Sequence, residues 1–210
     1  PDESYLSRLA KTPRLAEEAR QMRGWADRLQ FAIQRQQEGY GHAVYQARDF
    51  AGGELVLLCL GDHLFRGKAA SPYRSLIEAA AHCGGRSVSA VNRIGPLQLG
   101  GYGVIAGARR AGQSCLIEVS RIIEKPDEAA ARSLLRVDGL GADEFLGWYG
   151  MHVLAPSIFD VIERMIRGNL RDQGEFQLTR AQELQRQQEG FFAYEMPDAE
   201  RYDFGTPDDY

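Results

Sequence analysis

The stretch that decides the fold reads Glu54-Leu55-Val56-Leu57-Leu58-Cys59-Leu60-Gly61-Asp62. Its residues are apolar without a break from Leu55 to Leu60, and a carboxylate, Asp62, follows one glycine later. A continuous apolar run of this length predicts a strand that is buried on both faces, as in the centre of a parallel sheet. Open α/β sheets bind ligands at the carboxyl ends of such strands, which makes Asp62 a candidate binding residue. A turn-capping role beside Gly61 is an equally good interpretation of this stretch alone.

Segments on either side of this strand alternate between strand and helix patterns. Strands are predicted at 29–34, 54–62 and 87–91, with helices at 42–48 and 73–83 between them, which is the order of a parallel sheet with helical crossovers. Two β-rich segments, 102–106 and 115–123, predict an antiparallel insertion. Other helices are predicted at 1–30, 126–135, 158–166 and 178–188, with a short strand at 191–196. The predicted fold class is therefore α/β, a mixed sheet flanked by helices, in a single domain over residues 1–210.

Composition and charge exclude several classes of protein. The chain has 210 residues and a formal net charge of −4, which argues against a surface built to bind nucleic acid. No apolar stretch approaches the roughly 20 residues that span a bilayer, so we expect no membrane partner. The cysteines, Cys59, Cys83 and Cys115, are widely spaced, and we interpret them as reduced thiols of a cytoplasmic protein.

Motifs of several common enzyme classes are missing from the sequence. No zinc-ligand spacing, nucleophile elbow or Walker loop occurs. The glycine turn Gly39-Tyr40-Gly41 leads into a predicted helix, and glycine lets a planar base approach the backbone because it has no Cβ. A nearby glutamine could read a base edge with one donor and one acceptor. A plain tight turn explains the glycines equally well, and His42 is most simply a capping or packing residue.

Acidic residues at the ends of two predicted strands suggest a metal site. Asp62 and Asp203 each follow an apolar segment and stand near a glycine. Two such carboxylates, together with substrate phosphates, would suit Mg²⁺, although the sequence does not show that they meet. Glu124-Lys125 offers an acceptor for sugar hydroxyls beside a cation for a phosphate. An exposed ion pair before the Pro126 turn is the simpler interpretation of that pair.

Taken together, the motifs show a family resemblance that none of them shows alone. Seven blocks occur in order from about Phe31 to the end of the chain. The blocks are Gly39-Tyr40-Gly41-His42-Ala43-Val44, Leu60-Gly61-Asp62, Tyr102-Gly103-Val104, Glu124-Lys125-Pro126, Gly150-Met151-His152-Val153-Leu154, Gly174-Glu175-Phe176-Gln177-Leu178-Thr179 and Tyr202-Asp203-Phe204-Gly205-Thr206-Pro207. This set resembles the bacterial UTP–glucose-1-phosphate uridylyltransferases and the wider sugar-1-phosphate nucleotidyltransferase family. The resemblance implies a Rossmann-like nucleotidyltransferase fold, and the first and sixth blocks favour UTP and glucose.

The resemblance also implies a role for each matching residue. Gln34 would read the uracil edge, and Gly39 would give the base its close approach. Gly103 and Gly150 would line the sugar pocket. The charged residues would do the remaining work: Glu124 would bind glucose hydroxyls, Lys125 would neutralise the sugar phosphate, and Asp62 and Asp203 would hold Mg²⁺. The implied reaction transfers a uridylyl group from UTP to glucose-1-phosphate, giving UDP-glucose and pyrophosphate.

One part of the family pattern is not found in the sequence. Family members begin with a strand and a glycine-rich loop whose Arg and Lys embrace the triphosphate, and no such block precedes Phe31. We therefore expect an N-terminally truncated domain with an unpaired sheet flank. Two alternatives stay open, a non-catalytic module that binds a sugar nucleotide or serves assembly, and an enzyme with another base or sugar specificity. The expected partners are UTP and glucose-1-phosphate, or UDP-glucose, and a homo-oligomer is left open.

Overall fold

The computed structural model describes residues 13–67, 71–196 and 199–204. By their internal contacts the residues form two compact units, 1–33 and 34–210. In the first unit, helix α1 spans Pro13–Ala26. The predicted helix is confirmed over those residues, and its first twelve positions lie outside the described chain. A single domain over 1–210 stays a prediction.

Six strands of the second unit form one mixed sheet. They are β1 Val56–Cys59, β3 Val88–Ile94, β4 Gly103–Arg110, β5 Gln113–Glu124, β6 Phe145–Leu154 and β7 Phe192–Glu195. Their order is β1-β6-β3-β7-β5-β4, and β6 also pairs with β4. Of these pairings only β3–β7 is parallel. The predicted antiparallel insertion is confirmed as the β4–β5 pair, whereas the parallel sheet expected from the central segments is not formed, because β6 runs antiparallel between β1 and β3.

Helices cover both faces of this sheet. Consecutive strand residues such as Val104 and Ile105, or Val153 and Leu154, belong to two different core clusters. Since neighbouring strand residues point to opposite faces, these clusters are the two sides of the sheet. The helices of this unit are α2 Tyr40–Tyr45, α3 Arg48–Ala51, α4 Pro72–Ala81, α5 Glu128–Leu134, α6 Ser157–Arg167 and α7 Leu178–Glu189. Leu76 of α4 belongs to one cluster, and residues of α6 and α7 belong to the other.

Local sequence explains where these helices begin. Pro72 occupies the first turn of α4, where its missing N–H is not needed. Asp127 caps α5 by accepting a hydrogen bond from the Ala130 N–H at 2.7 Å. Helix α6 carries five buried apolar residues on one face, Ile158, Phe159, Val161, Ile162 and Met165. The helices predicted at 73–83, 126–135, 158–166 and 178–188 are confirmed to within a few residues.

Two strand predictions are wrong. Strand β1 is an edge strand paired only with β6 among the described residues, and Leu57 and Cys59 on one of its faces are exposed. Its apolar run therefore has one covered face instead of two. The segment 29–34 forms no strand, and Phe31 is 87% exposed. Leu29 and Ile33 are exposed as well, so the alternating apolar side chains bury no face that would favour a strand.

A second, two-stranded sheet was not predicted. Strand β2 spans His63–Gly67 and pairs antiparallel with β8, Ala199–Asp203. In this register His63 lies opposite Asp203. The pair matters for the site because it begins directly after Asp62 and ends at Asp203, so distant parts of the chain are brought side by side.

Candidate active site

The backbones of the two predicted metal residues are neighbours. Strand β8 ends at Asp203 opposite His63, and the Phe204 N–H donates to the Asp62 carbonyl at 2.8 Å. The Asp62 side chain is 50% exposed, and its carboxylate lies 4.0 Å from the His63 ring nitrogen. The position of the Asp203 carboxyl group lies outside what the structure describes. Within the described residues, no three or more His, Cys, Asp or Glu side chains form a metal-binding group.

Gly150 lies directly beside the strand that leads to Asp62. The Leu60 N–H donates to the Gly150 carbonyl at 2.9 Å. Gly150 has a φ of +71°, and a Cβ at this position would collide with the Leu60 side chain. Both facts require glycine, because its backbone adopts this conformation without strain and leaves room for Leu60.

Gly103 and Glu124 form a second cluster, further along the edge of β6 that also pairs with β1. They lie opposite each other in the β4–β5 pair. A Cβ on Gly103 would lie 2.7 Å from Trp148 Cδ1, 3.0 Å from Glu124 Oε2 and 3.2 Å from Thr179 Cγ2. The glycine therefore allows an aromatic ring, a carboxylate and a hydroxyl-bearing side chain to converge on one point of the backbone.

Strand β6 connects the two clusters. Met151 pairs with Cys59 of β1, and Gly147 pairs with Val104 of β4. The Leu60 contact with Gly150 continues the β1 pairing, and Gly103 directly precedes Val104. The end of β1 and the Gly103–Glu124 pair therefore come close to each other along the same edge of β6.

Lys125 has an unusual backbone conformation. Its φ is +45°, and it is one of three non-glycine residues with a positive φ in the described chain. Its N–H donates to the Tyr102 carbonyl at 3.0 Å, which fixes the turn that follows β5. Such conformations cost on the order of 1 kcal/mol or more and are frequent at functional sites. The turn places Lys125 directly after Glu124, at the same end of the sheet as Gly103.

Two cavities differ in their relation to these residues. A cavity of about 320 Å³ is lined by Glu124, Gln173, Thr179 and Arg180, among others. A cavity of about 390 Å³ lies between α4 and the β4–β5 turn and is lined by Glu78, His82, Cys115 and Tyr194. The smaller cavity includes a predicted site residue and the larger one includes none, so the smaller one is the better candidate for a substrate pocket.

The glycine turn packs against the segment Gly174-Glu175-Phe176. The Gly41 N–H donates to the Phe176 carbonyl at 2.8 Å, and the Phe176 N–H donates to the Glu38 carbonyl at 2.8 Å. A Cβ on Gly39 would lie 2.8 Å from Glu175 Cβ. Protein therefore fills the space that a side chain on Gly39 would occupy, which is a reason for glycine independent of any base. The close approach of a base to Gly39 stays a prediction.

Gln34 and Tyr40 connect this turn to the rest of the site. The Gln34 side-chain nitrogen donates to the Gly39 carbonyl at 3.1 Å. Burial raises the pKa of the Tyr40 hydroxyl, and Cys59 and Asp62 raise it further through their charges. The Tyr40 hydroxyl is buried and has no hydrogen-bond partner among the described residues. Tyr40 thus lies close to Asp62, so the turn that carries Gly39 adjoins the end of β1.

Sequence reasoning missed the surroundings of Gln34. His42 Nδ1 lies 3.0 Å from the Gln34 side-chain nitrogen, and Glu38 lies 3.6 Å from His42 Nε2. Arg171, far along the chain, pairs with Glu38 at 2.6 Å. The four-residue spacing of Gln34, Glu38 and His42 was the available signal, but it predicts nothing without the turn geometry. Trp148 was also missed, since its block carries no polar pattern.

Comparison with known proteins identifies the family. The family described as nucleotidyl transferase matches residues 5–210. The chain belongs to the nucleotidyl transferase family. This confirms the family expected from the seven sequence blocks.

Two relatives of this nucleotidyl transferase illustrate the similarity. UTP–glucose-1-phosphate uridylyltransferase 2 of Staphylococcus saprophyticus is 33% identical over 175 residues, which cover 83% of this chain and 54% of the relative. The uridylyltransferase of Staphylococcus epidermidis is 30% identical over 175 residues, with the same coverage of 83% and 54%. The nucleotidyl transferase chain therefore spans about half the length of these relatives.

Solved structures confirm the fold of the nucleotidyl transferase. A UDP-glucose pyrophosphorylase complexed with UDP-glucose gives a TM-score of 0.67 at 24% identity, covering 84% of this chain and 61% of that one. A UTP-bound enzyme of the same name from Acinetobacter baumannii gives 0.69 at 21% identity, covering 99% and 66%. The predicted mixed sheet flanked by helices is thus confirmed. None of the described helices has the length and apolar character that a membrane span requires.

Proposed function

We propose that this chain forms the sugar and metal side of a UTP–glucose-1-phosphate uridylyltransferase. The reaction transfers a uridylyl group from UTP to glucose-1-phosphate and gives UDP-glucose and pyrophosphate. The observation that carries the proposal is the arrangement around β6, which sets Gly150 beside the Asp62 end of β1 and Gly147 beside the strand of Gly103. The names and one-third identity of the staphylococcal relatives support this choice of substrates.

The metal would be Mg²⁺, held by Asp62 and Asp203. Asp62 offers a half-exposed carboxylate, and the Asp203 backbone lies beside the residue that follows it, His63. Mg²⁺ prefers oxygen ligands and is commonly held by one or two carboxylates together with substrate phosphates. When bound, Mg²⁺ would neutralise phosphate charge.

The sugar phosphate would be held at the Gly103 end. The Glu124 carboxylate would accept hydrogen bonds from glucose hydroxyls, and the Lys125 ammonium would neutralise the phosphate. Gly103 and Gly150 would let the sugar lie against bare backbone. A phosphate oxygen of glucose-1-phosphate would then attack the α-phosphorus of UTP. As that P–O bond forms, the bond from the α-phosphorus to the bridging oxygen breaks and pyrophosphate leaves.

In this mechanism the chain's residues act by position and charge. They would align the attacking oxygen opposite the leaving pyrophosphate, a type of orientation that contributes several kcal/mol to catalysis. Gln34 would hold the uracil base at the glycine turn. The protein is proposed to work in the cytoplasm, which is supported by three unpaired cysteines, Cys59, Cys83 and Cys115.

A second candidate function is a binding module without turnover. The observation in its favour is that, within the described residues, Asp62 belongs to no group of three or more His, Cys, Asp or Glu side chains that could hold a metal ion. Such a module would bind UDP-glucose and release no pyrophosphate.

One experiment separates the two functions. Pyrophosphate release from UTP and glucose-1-phosphate with Mg²⁺ is measured for the unaltered chain, Asp62→Asn and the control Asp49→Asn, which changes an exposed aspartate on α3. We expect Asp62→Asn to lower the rate by about 10²–10³-fold, the usual effect of removing one electrostatic group from an active site, and Asp49→Asn to leave it unchanged. A rise in melting temperature with UDP-glucose but no pyrophosphate would favour the binding module. If UDP-glucose leaves the melting temperature unchanged and no pyrophosphate is released, both functions are contradicted.

A further inference from the structure

The side chain of Gln34 is held by two acceptors. Its amide nitrogen lies 3.1 Å from the Gly39 carbonyl oxygen and 3.0 Å from His42 Nδ1. A glutamine amide has two N–H donors, so these two contacts use both of them. Its carbonyl Oε1 receives no hydrogen bond within the described part of the chain. The amide therefore offers an acceptor, and only an acceptor, to a ligand.

This orientation requires a particular form of His42. Nδ1 accepts the Gln34 N–H only when the imidazole is neutral with its proton on Nε2. Glu38 supports that form, because its carboxylate lies 3.6 Å from Nε2 and attracts the N–H. Gln46 brings its amide nitrogen to 3.3 Å from the same Nε2, but Nε2 carries the proton in this form and cannot accept, so the hydrogen bond of Gln46 is the one to the His42 carbonyl at 3.0 Å.

The other charged groups around this histidine are paired. Arg171 binds Glu38 Oε1 at 2.6 Å, whereas the carboxylate oxygen nearest His42 is Oε2. The Arg171 guanidinium also stacks on Phe176, whose ring centroid is 6.4 Å from that of His42. Glu175 packs at Gly39 and accepts from the Gln177 amide at 2.9 Å. Helices α6 and α7 both contact α2. Arg48, at the start of α3, pairs with Asp160 and Glu163 of α6 beyond the C-terminal end of α2.

We propose that His42 is a positioning residue that selects the base: its unprotonated Nδ1 holds the Gln34 amide so that Oε1 faces the nucleotide, which favours uracil over cytosine. This inference rests on the proposed function, which places the base at Gln34. Uracil presents an N–H donor at N3, which Oε1 accepts. Cytosine presents a bare acceptor at N3, which Oε1 repels.

The test is the ratio of two dissociation constants. UDP-glucose and CDP-glucose are titrated calorimetrically into the unaltered chain with Mg²⁺ at one pH. The two ligands carry the same glucose diphosphate, so changes in phosphate and sugar binding cancel in the ratio. We expect the unaltered chain to favour UDP-glucose by about ten-fold or more, the usual effect of an unmatched buried hydrogen bond.

Two variants of His42 separate positioning from simple packing. His42→Asn places an acceptor, Oδ1, near the position of Nδ1, so it keeps the preference for UDP-glucose. His42→Ala removes the acceptor and lowers the preference by about five-fold or more. The matched control, His82→Asn, changes an exposed histidine after α4 and keeps the preference of the unaltered chain.

Each result has one interpretation. A packing role for His42 would weaken both ligands equally and leave the ratio unchanged, which would overturn the inference. A ratio near one in the unaltered chain would do the same, and that measurement needs no variant to fold. If the unaltered chain binds neither ligand, the proposed function fails together with the inference. If it binds UDP-glucose but the ratio is unchanged in His42→Ala, only the inference fails.

Discussion

Strands β1 and β3 run in the same direction on either side of β6, yet their sequences and positions contrast. The β1 segment is the more apolar of the two, but it lies at the sheet edge with Leu57 38% exposed. The β3 segment includes Ser89, follows Ser87 and lies inside the sheet, and Val88, Ser89, Ala90 and Val91 are all fully buried. In this protein, the more apolar of the two strands is therefore not the more buried one.

Buried polar side chains explain how β3 can be internal. The Ser87 hydroxyl donates to Gln185 at 2.9 Å and accepts from the Ala155 N–H at 2.8 Å. The Ser89 hydroxyl lies 2.6 Å from His152 Nδ1, and the Gln182 amide lies 3.1 Å from the same atom. A buried polar group costs little when its hydrogen bonds are made. These partners come from β6 and α7, so they could not be foreseen from the β3 sequence.

The largest effect expected at neutral pH comes from removing one apolar side chain from β3, in comparison with the same change in β1. Ile94→Ala in β3 removes a buried side chain, 3% exposed, and leaves a cavity, so we expect a loss of about 3 kcal/mol in the free energy of unfolding. Leu57→Ala in β1 should cost less than about 1 kcal/mol, because part of that side chain already contacts water. Urea unfolding of both variants measures the difference, and equal losses would show that β1 is as buried as β3.

A second prediction concerns His152, the buried partner of β3. Burial lowers the pKa of this histidine to about 3, whereas an unfolded histidine titrates near pH 6.5. Because the unfolded chain binds the proton first, the contribution to stability is complete above about pH 6.5 and is lost as pH falls towards 3, by about 1.4 kcal/mol per unit. Urea unfolding between pH 4 and 7.5 measures this slope.

The control for this slope is a substitution that does not titrate. His152→Asn keeps an acceptor for Ser89 near the position of Nδ1, so its stability should fall less steeply over the same pH range. His82→Asn, at an exposed position, should keep the slope of the unaltered chain. If His152→Asn and the unaltered chain lose stability in parallel, the buried histidine is not the source of the slope.

The smallest effect on stability concerns the edge of β1 that pairs with no strand in the described ranges of the chain. An open strand edge offers unpaired backbone groups to another chain, so we expect the unaltered protein to associate as its concentration rises. Leu57→Lys places a charge at this edge and should reduce association, while changing the free energy of unfolding by no more than about 0.5 kcal/mol. Sedimentation velocity over a range of concentrations measures it. Leu97→Lys, at a fully exposed position away from the edge, is the control, and equal behaviour of the two variants would contradict the edge as the contact.

Much of the local structure was predictable. Helix α4 could be located from Pro72 and its apolar face, and the β4–β5 pair from two β-rich segments around a glycine turn. The β2–β8 pair was not predictable, because its strands are short and far apart in the chain. The roles of Gly39 and Gly150 were only half predictable: glycine was expected, but contacts with Glu175 and Leu60 explain it.

By itself, the sequence determined most of the helices, the β4–β5 pair, the family and the residues that could carry chemistry. Those properties depend on local patterns and on motifs that stand in one order along the chain. Only the tertiary structure decided that β1 lies at an edge, that the Asp62 and Asp203 backbones adjoin, and that His42 holds Gln34. Burial and hydrogen bonding depend on which distant residues become neighbours, and a local pattern carries no record of those neighbours.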